Sequence, residues 1–467
     1  MEQHQRKGRR VVLFPVPLKG HINPMLHLGQ ILHSNGFSVV VIHTNFNSPD
    51  ASSYRHFTFH RISDGLDDQD HPATTSNVLS LFPYLNASCL EPFEACLREV
   101  VSDAAGEPVA CLVVDAHFHF TQGVSKRLRI PRIVLRTGGA CSFHLFTALP
   151  LLKGKGYLQV QDPKLEDPIV EFPPLKVKDL PAISSSDSDK DKLLQLVISM
   201  VSTAKNSAGL ILNTFEGLEQ PSLDELRREL PVPIFSIGPF HKLCRPANSR
   251  SSVAHNKAAC ISWLDKHNPR SVIYVSFGSI AETKESEFEE IACCLRNSGR
   301  PFLWVARPDS DVRTAARISS GLAGDECIVK WAPQLEVLSH PSVGAFWTHC
   351  GWNSTMEGIS EGVPMICTPC FAEQMVNSRF ICDVWRVGVE LEMGRNGLER
   401  GRIERAIRRL FQEKEGEEIR NRMNDLKEKA SLCLKQGEGS SFNAIDGLAR
   451  HIMLLESVTF GNGGISA

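Results

Sequence analysis

Short, nearly continuous apolar runs alternate along the chain with longer segments in which apolar residues recur at helical spacing. Such runs are typical of parallel strands that are covered on both faces, and the segments between them are typical of the covering helices. The predicted strands are Val11–Phe14, Val39–Thr44, Phe57–Ile62, Leu112–Val114, Ile133–Leu135 and Leu210–Asn213, followed by Val272–Phe277, Phe302–Val305, Cys327–Val329, Ala345–Thr348 and Met365–Cys367.

Two such sets in succession predict two doubly wound, Rossmann-like α/β domains. The break falls at 241–257, a stretch with Pro246, a Ser-Ser pair and no usable periodicity, which is typical of an interdomain linker. The predicted domains are therefore 1–240 and 258–435. Helical spacing also predicts a helix over Ile403–Phe411 and a last helix from near Ser441, within a C-terminal segment at 436–460.

Composition narrows the classes of function. The 467 residues are 42% apolar and 22% charged, with a net charge of −2, which indicates a globular protein without a nucleic-acid or membrane-surface partner. The apolar run Val11–Leu18 is broken by two prolines, so it predicts neither a signal peptide nor a membrane span. We therefore expect a cytoplasmic protein without stable membrane insertion.

The cysteines and acidic residues do not indicate a metal site. The 14 cysteines have no framework spacing, and the pair Cys367 and Cys370 lacks a second ligand pair for zinc. In a cytosolic protein they are predicted to be structural thiols. No acidic cluster suited to a divalent cation is evident, so the sequence predicts no metal.

The stretch Trp331–Gln374 carries most of the candidate chemistry. It begins W-A-P-Q, continues F-W-T-H-C-G-W-N-S-T-M-E over residues 346–357 and ends in E-G-V-P and E-Q. After the strand that ends at Thr348, His349 and Gly351 form a turn into a helix. The N–H groups of a helix N-terminus, with a glycine that admits close backbone approach, favour phosphate.

Other interpretations of this stretch remain open. Asn353 and Ser354 are residue types preferred as helix N-caps, and Glu357 stands where it could close a capping interaction, so an ordinary capped helix is one alternative. Trp331 beside a proline could stack on a base or simply lie on the surface. Glu357 could accept two ribose hydroxyls, and Gln374 could bind sugar hydroxyls.

Trp331–Gln374 resembles the signature box of plant family 1, secondary-product UDP-glycosyltransferases, in both length and motif order. The resemblance extends over essentially the whole chain, through F-P-V-P-L-K-G-H-I-N-P at 14–24, C-L-V-V-D at 111–115, W-L-D at 263–265, Y-V-S-F-G-S at 274–279 and F-L-W at 302–304. The segments K-G-Y at 155–157 and P-P-L-K-V-K-D at 173–179 resemble the subgroup with benzoxazinoid, cytokinin and steviol-glycoside glucosyltransferases.

The resemblance implies a GT-B fold, in which two Rossmann-like domains face each other across a cleft. The N-terminal domain would take the acceptor, the C-terminal domain the UDP-sugar, and the last helix would pack back on the N-terminal domain. The implied donor residues are Trp331 on uracil, Gln334 and Glu357 on ribose, Ser279, His349, Asn353 and Ser354 on the diphosphate, Trp352, Glu373 and Gln374 on the sugar, Thr137 reaching it from the other domain, and Ala332 and Gly351 within the same box.

Two positions depart from the usual family pattern. Glu373 stands where aspartate is more common, which keeps the carboxylate, and Phe371 stands where many members carry tryptophan. The resemblance also implies that Gln374 suits UDP-glucose, since histidine at this position suits UDP-galactose.

An alcohol needs a base before it can attack a sugar at neutral pH. His21 follows the first strand, and Asp115 ends another apolar strand, where a lone acid would be a poor core residue. The two match the base–orienter pattern, and the family pattern supports them as the catalytic pair. His117 and His119 also lie near Asp115 and are alternative partners for it.

The sequence thus predicts a monomeric, inverting UDP-glucosyltransferase that needs no cofactor, with UDP-glucose as donor and a small, mostly apolar plant metabolite as acceptor. An NAD(P) oxidoreductase is disfavoured because the glycine-rich fingerprint after the first strand is absent, and a serine esterase because no G-x-S-x-G occurs. A non-catalytic small-molecule-binding protein of the same fold remains the alternative.

Overall fold

A computed structural model describes residues 7–66, 78–159, 164–181, 186–244, 251–278, 285–306, 322–391 and 399–456. The chain divides into two compact units. The first unit comprises Met1–Leu158, Ser184–Ala247 and Cys433–Ala467, and the second comprises Gln159–Ile183 and Asn248–Leu432.

Each unit is built on a seven-stranded sheet. The first sheet contains β1 (Arg10–Phe14), β2 (Ser38–Thr44), β3 (Phe57–Ile62), β4 (Val109–Asp115), β5 (Arg132–Arg136), β6 (Gly209–Leu212) and β7 (Ile234–Ser236). The second contains β8 (Val272–Ser276), β9 (Phe302–Val305), β10 (Leu322–Ala323), β11 (Glu326–Val329), β12 (Val343–Thr348), β13 (Met365–Cys367) and β14 (Gly388–Glu390).

The strand orders are those of doubly wound sheets. The first is β3-β2-β1-β4-β5-β6-β7, and all its described pairings are parallel. The second is β10-β11-β9-β8-β12-β13-β14, in which only the short edge strand β10 is antiparallel. In each sheet the order reverses direction beside the first strand in sequence, which is where α/β sheets bind ligands.

Helices connect these strands. They are α1 (Lys19–Ser34), α2 (Val78–Ser88), α3 (Leu90–Ser102), α4 (Thr121–Leu128), α5 (Ala140–Gly154), α6 (Asp187–Lys205), α7 (Glu216–Glu229), α8 (Phe240–Leu243), α9 (Ser251–Leu264), α10 (Glu285–Asn297), α11 (Gln334–Ser339), α12 (Trp352–Glu361), α13 (Gln374–Arg379), α14 (Arg400–Phe411), α15 (Lys414–Leu432) and α16 (Ser440–Leu454). Short 3-10 turns lie at Ala51–Ser53, Tyr157–Gln159, Lys164–Glu166 and Val177–Asp179, and a π-helical turn at Phe380–Val384.

The last helix contributes to the core of the first unit. Ile445, Leu448 and Ile452 recur on one face of α16 and are buried in the same cluster as Val11 and Leu13 of β1. Burying large aliphatic side chains in this way stabilises the fold by roughly 1.5–3 kcal/mol each. The C-terminal helix is therefore an integral part of the first unit, although it is the last described element of the chain.

The segment Gln159–Ile183 belongs to the second unit, although it follows α5 of the first. Asp179 holds it there through a bidentate ion pair, in which Arg379 Nε and Nη2 donate to its two carboxylate oxygens at 2.9 and 3.1 Å. Both side chains are only 5% exposed. Arg379 also pairs with Asp383 at 2.8 Å and Glu390 at 3.3 Å, so loss of Asp179 would leave it partly compensated. Loss of Arg379 would instead remove both guanidinium donors from the buried Asp179 carboxylate.

The sequence predicted the architecture correctly. All eleven predicted strands are present, and the doubly wound α/β prediction is confirmed. The short strands β7, β10 and β14 were missed. Helices α8 and α9 cover part of the stretch predicted as a linker, and the compact units divide between residues 247 and 248.

Two further features bear on the sequence predictions. None of the helices in the described ranges is both long and apolar enough to traverse a lipid bilayer. All 14 cysteines lie in the described ranges, and each is a free thiol, as predicted.

Candidate functional site

The topology of the first sheet brings His21 and Asp115 together. Strands β1 and β4 are parallel neighbours, with Phe14 paired to Val114, so their carboxyl ends lie side by side. Asp115 is the last residue of β4, and His21 lies in the first turn of α1, which follows β1. Two residues far apart in sequence therefore meet beyond the carboxyl ends of two central strands.

Their contact is a hydrogen bond. His21 Nδ1 lies 2.7 Å from Asp115 Oδ2, and the Asp115 side chain is completely buried while that of His21 is 16% exposed. A carboxylate without a proton can only accept, so Nδ1 carries the hydrogen and Nε2 carries the lone pair. This tautomer is the one that a general base requires.

A second histidine occupies the other oxygen of the same carboxylate. His117 Nδ1 lies 2.8 Å from Asp115 Oδ1, and the backbone N–H of His117 donates to that oxygen at 3.0 Å. From the sequence, His117 was an alternative to His21 as the partner of Asp115. In the structure the two do not compete, because each binds a different oxygen.

These contacts keep Asp115 ionised. Burial by itself would raise the pKa of this carboxyl, but His21 and His117 outweigh burial and hold the pKa below its ordinary value. For His117 the balance is reversed: burial lowers its pKa despite the hydrogen bond to Asp115. The cluster therefore contains a carboxylate and, at His117, an imidazole that favours its neutral form.

Thr137 lies immediately after β5, the other neighbour of β4 in the sheet. Its Oγ1 is 3.1 Å from His21 Nδ1, and the residue is 6% exposed. The structure thus brings three sequence-predicted residues, His21, Asp115 and Thr137, to one sheet edge.

The same cluster bears on the prediction of no metal. Within the described residues, the ligand-type atoms of His21, Asp115 and His117 all lie within 4.8 Å of one another, close enough to hold an ion. In this arrangement both Nδ1 atoms are engaged with the carboxylate. An ion bound through these two nitrogens would have to displace both hydrogen-bonded protons, and chelation experiments test whether one does so.

In the second unit, the loop after β12 leads into α12. Gly351 is the N-cap residue of α12, and the helix begins at Trp352, so neither Asn353 nor Ser354 is the cap. The predicted capping interaction of Glu357 is wrong, because its carboxylate binds Gln334 instead. A helix start capped by glycine has no capping side chain over its first-turn N–H groups, which suits an anion.

Two glycines make room for the ring of His349. A Cβ added at Gly278, just after β8, would lie 2.6 Å from the ring, and one at Gly351 would lie 2.5 Å from Nε2. Neither approach is compatible with a larger residue unless the ring moves. The loop also holds Cys350 at a left-handed φ of 63°, and its carbonyl accepts from the fully buried Asn377 at 2.9 Å. His349 is thus held firmly beside the helix start.

Gln334 organises a polar network at the start of α11. Its Oε1 accepts from the Tyr274 hydroxyl at 3.1 Å, and its Nε2 donates to Ser354 Oγ at 3.0 Å and to Glu357 Oε2 at 2.6 Å. Burial raises the pKa of Glu357 to about 7, although the bond from Gln334 opposes the shift. The Gln334–Glu357 pair is therefore held together by hydrogen bonds within the protein itself.

The side-chain oxygen of Gln374 is engaged by the protein backbone. It is 6% exposed, and its Oε1 accepts from the backbone N–H groups of Cys370 and Phe371 at 2.9 and 3.1 Å. Both lone pairs of that oxygen are thereby used. Of the amide's two polar atoms, Nε2 is therefore the one that could meet a sugar hydroxyl.

The remaining predicted donor residues are placed as follows. The Trp331 side chain is 39% exposed, as a base-stacking platform requires, whereas Ala332 and Trp352 are 6% and 3% exposed. Asn353 lies in the first turn of α12, and Glu373 precedes α13. Ser279 lies outside the described residues.

Three groups that position site residues were missed from the sequence. The Tyr274 hydroxyl binds Gln334, Asn377 binds the Cys350 carbonyl, and the His117 ring binds Asp115. An aspartate at a strand end commonly accepts from the backbone two residues later, and this was an available signal for His117. Tyr274 and Asn377 bind partners 60 and 27 residues away, so nothing local marks them.

Comparison with known proteins adds to this geometry. Residues 252–424 match the family described as "UDP-glucoronosyl and UDP-glucosyl transferase". The chain is 47% identical over 451 residues to "UDP-glycosyltransferase 76B1" of Arabidopsis thaliana, which covers 95% of this chain and 98% of that protein. It is 39% identical over 426 residues to "DIMBOA UDP-glucosyltransferase BX9" of Zea mays, which covers 90% and 91%.

Among solved structures, the chain is similar to Os79 from O. sativa in complex with UDP. The TM-score is 0.80 and the identity 26%, and the match covers 95% of this chain and 100% of that one. The predicted GT-B fold is confirmed by this likeness.

Proposed function

The chain belongs to the family of UDP-glucosyl and related transferases, and from that premise we propose that it transfers glucose from UDP-glucose to a hydroxyl of a small, mostly apolar plant metabolite. His21 acts as the general base and Asp115 as its orienting partner. The observation that carries this proposal is the 2.7 Å bond between His21 Nδ1 and the buried Asp115 carboxylate.

The base works through the ring nitrogen that does not face Asp115. The acceptor hydroxyl gives its proton to His21 Nε2 as its oxygen attacks C1 of the glucosyl group. Asp115 stabilises the imidazolium that forms, because it is ionised and hydrogen-bonded to Nδ1. Thr137, at 3.1 Å from the same ring nitrogen, limits rotation of the imidazole.

The donor is held by the residues of the second unit. Trp331 stacks on uracil, and the Gln334–Glu357 pair binds the ribose hydroxyls. His349, Asn353, Ser354, Gly351 and Ser279 meet the diphosphate at the N-terminus of α12, where the helix dipole favours negative charge. Ala332 and Trp352 support this site, and Glu373 and Gln374 contact the sugar.

The diphosphate site also stabilises the leaving group. Negative charge grows on the departing β-phosphate during transfer, and the helix start with His349 offers donors for it. A single displacement inverts the anomeric centre, so an α-linked donor gives a β-glucoside. No metal or cofactor is required in this scheme.

The name of the Zea mays relative suggests a benzoxazinoid acceptor, and the subgroup resemblance in the sequence adds the other classes. We propose benzoxazinoids, phenolics including flavonoids, cytokinins and terpenoids as the candidate classes, bound in the N-terminal domain. In keeping with the sequence predictions, we propose a monomer that acts in the cytosol, with the domain boundaries given there.

An acceptor screen tests the proposal directly. The purified protein is incubated with UDP-glucose and one acceptor from each candidate class, and the release of UDP is followed. We expect acceptor-dependent UDP release and a product whose anomeric proton coupling identifies a β-glucoside. A retained α configuration would contradict the single displacement.

The alternative is a non-catalytic binding protein of the same fold. It predicts that UDP-glucose and an acceptor both bind, as measured by calorimetry, while no acceptor in the panel releases UDP above the rate of spontaneous hydrolysis. That combination would overturn the proposed activity.

A further inference from the structure

One buried carboxylate in the first unit serves two imidazoles. Asp115 Oδ2 binds His21 at 2.7 Å, and Oδ1 accepts both from the His117 ring at 2.8 Å and from its backbone N–H at 3.0 Å. We propose that His117 is a second positioning residue of the reaction, which fixes the Asp115 carboxylate and sets how strongly that carboxylate stabilises protonated His21. The inference rests on the proposed role of His21 as base.

The three bonds define the rotation of the carboxylate. Terminal carboxyl torsions are broad, so an aspartate with one partner can turn its oxygens away. Here one oxygen is held by two donors of residue 117 and the other by His21, and the side chain is completely buried. Oδ2 is therefore directed at His21 before any substrate binds.

The ring of His117 is itself held in place independently of Asp115. It stacks on Phe82 with centroids 4.5 Å apart and an interplanar angle of 15°. Its backbone carbonyl accepts from Asn86 Nδ2 at 2.9 Å. Phe82 and Asn86 both lie on α2, so this helix supports the orientation of the second imidazole.

The charged and polar groups around His21 and Asp115 indicate in which direction His117 changes the stabilisation of protonated His21. Asp115 bonds to both histidines, Arg136 at the end of β5 acts electrostatically on His117, and Thr137 is the neutral group beside His21. A neutral imidazole that donates to Asp115 takes up part of the carboxylate's hydrogen-bonding capacity. Asp115 then stabilises the positive charge that forms on His21 less strongly.

Two substitutions separate the donor of His117 from its ring. His117→Phe keeps an aromatic ring to stack on Phe82 but has no donor. His117→Asn loses the ring, but its amide nitrogen occupies the place of Nδ1 and can donate to Asp115. The profile of kcat/KM against pH is measured for both variants with UDP-glucose and one good acceptor, together with the affinity for UDP and the unfolding temperature.

In the His117→Phe variant we expect the acidic limb of the profile to move up by about half to one pH unit, the size expected for one lost hydrogen bond. We also expect kcat/KM at neutral pH to fall by about tenfold, with UDP affinity unchanged. His117→Asn is expected to keep the limb of the wild-type protein, even if its unfolding temperature falls further.

An unshifted limb in His117→Phe overturns the inference. So does a loss of activity that follows the unfolding temperature equally in both variants, because it assigns His117 to packing alone. The His21→Ala variant distinguishes this failure from that of the proposed function. If His21→Ala turns over normally, the proposed base is wrong; if it is inactive while the limb of His117→Phe is unmoved, only the role of His117 is wrong.

Discussion

Gln334 donates from Nε2 to Glu357 Oε2 across 2.6 Å, and this bond joins the start of α11 to the second turn of α12. The amide has only one orientation available, because its oxygen accepts from Tyr274 on the opposite side. The pair proposed to bind the ribose is therefore aligned by the Tyr274 hydroxyl, which has no proposed contact with the donor.

The pKa of Glu357 makes donor binding depend on pH. Burial raises this pKa to about 7, so the side chain is largely protonated below that pH and ionised above it. In the proposed donor site, the ionised carboxylate accepts from two ribose hydroxyls. The Kd of UDP-glucose should therefore fall as pH rises through about 7, by at most about tenfold per pH unit on the acidic side.

Calorimetry with UDP-glucose in the absence of acceptor measures this dependence without interference from His21. Glu357→Gln is the control, since it keeps the size of the side chain and cannot titrate. Equal slopes of Kd against pH in the two proteins would exclude Glu357 as the titrating group.

Tyr274→Phe should weaken donor binding without affecting chemistry. The substitution removes the hydroxyl that binds Gln334, while the ring can still stack on Phe346, whose centroid lies 5.1 Å away. The loss of one buried hydrogen bond predicts a rise in KM for UDP-glucose of about two- to tenfold. Steady-state kinetics should show kcat nearly unchanged, and an unaltered KM would mean that Gln334 keeps its orientation unaided.

Donor specificity should depend on Gln374. We expect UDP-glucose to be preferred over UDP-galactose by about tenfold or more in kcat/KM, since inverting one hydroxyl costs a polar contact on each side. Gln374→Ala should erode the preference. Gln374→Glu keeps an oxygen for the N–H groups of Cys370 and Phe371 but removes the Nε2 donor.

Side-by-side initial rates with the two donors decide between two origins of the preference. If the preference for UDP-glucose falls in both variants, it depends on the Gln374 amide nitrogen. If it falls in Gln374→Ala alone, it depends on the turn at 370–371 that the side-chain oxygen holds. Equal rates for the two donors in the wild-type protein would refute the assignment.

Loss of the base should slow the chemical step and leave donor binding intact. His21→Ala is expected to lower kcat by about 10²–10⁴-fold, the usual contribution of a general base. Asp115→Ala should be impaired less, because His21 can still accept a proton. Single-turnover rates and UDP affinity are the measurements, and wild-type turnover in His21→Ala would contradict the mechanism.

Chelators should leave the rate nearly unchanged. The proposed diphosphate site consists of a helix start and side chains, and the His21–Asp115–His117 cluster is joined by hydrogen bonds. Initial rates are compared before and after treatment with EDTA. Loss of activity that magnesium, manganese or zinc restores would identify a metal requirement.

Sequence patterns were sufficient for most of the fold because buried parallel strands form distinctive apolar runs. The missed strands β7, β10 and β14 have three, two and three residues, and none contains more than two apolar residues. The equally short β13 was predicted because all three of its residues are apolar. The start of α9 was taken for a linker because Ser251 and Ser252 are polar, whereas Trp263 and Leu264, which anchor the helix in the core, come a full 12 residues later.

Site residues that belong to a recognisable motif were predictable from the sequence. Contacts made by hydrogen bonds between residues far apart in sequence were not. Asp115 ends one strand and His21 lies at the start of the helix that follows its parallel neighbour, so the sheet topology brings them together. The attachment of Asp179 depends on Arg379, 200 residues away, and no local pattern encodes it. The orientation of Gln374 depends on the backbone of a turn, which a sequence does not display.

The buried pair of Asp179 and Arg379 restricts how this enzyme can be recombined with its relatives. The chain passes from one unit to the other at 158–159, 183–184, 247–248 and 432–433. In a chimera joined near residue 247, Asp179 would come from one parent and Arg379 from the other. Helix α16 would come from the second parent, whereas the strands it packs against would come from the first. Viable exchange of donor or acceptor specificity therefore requires parents matched at this ion pair and on the apolar face of α16, or grafts that carry three segments together.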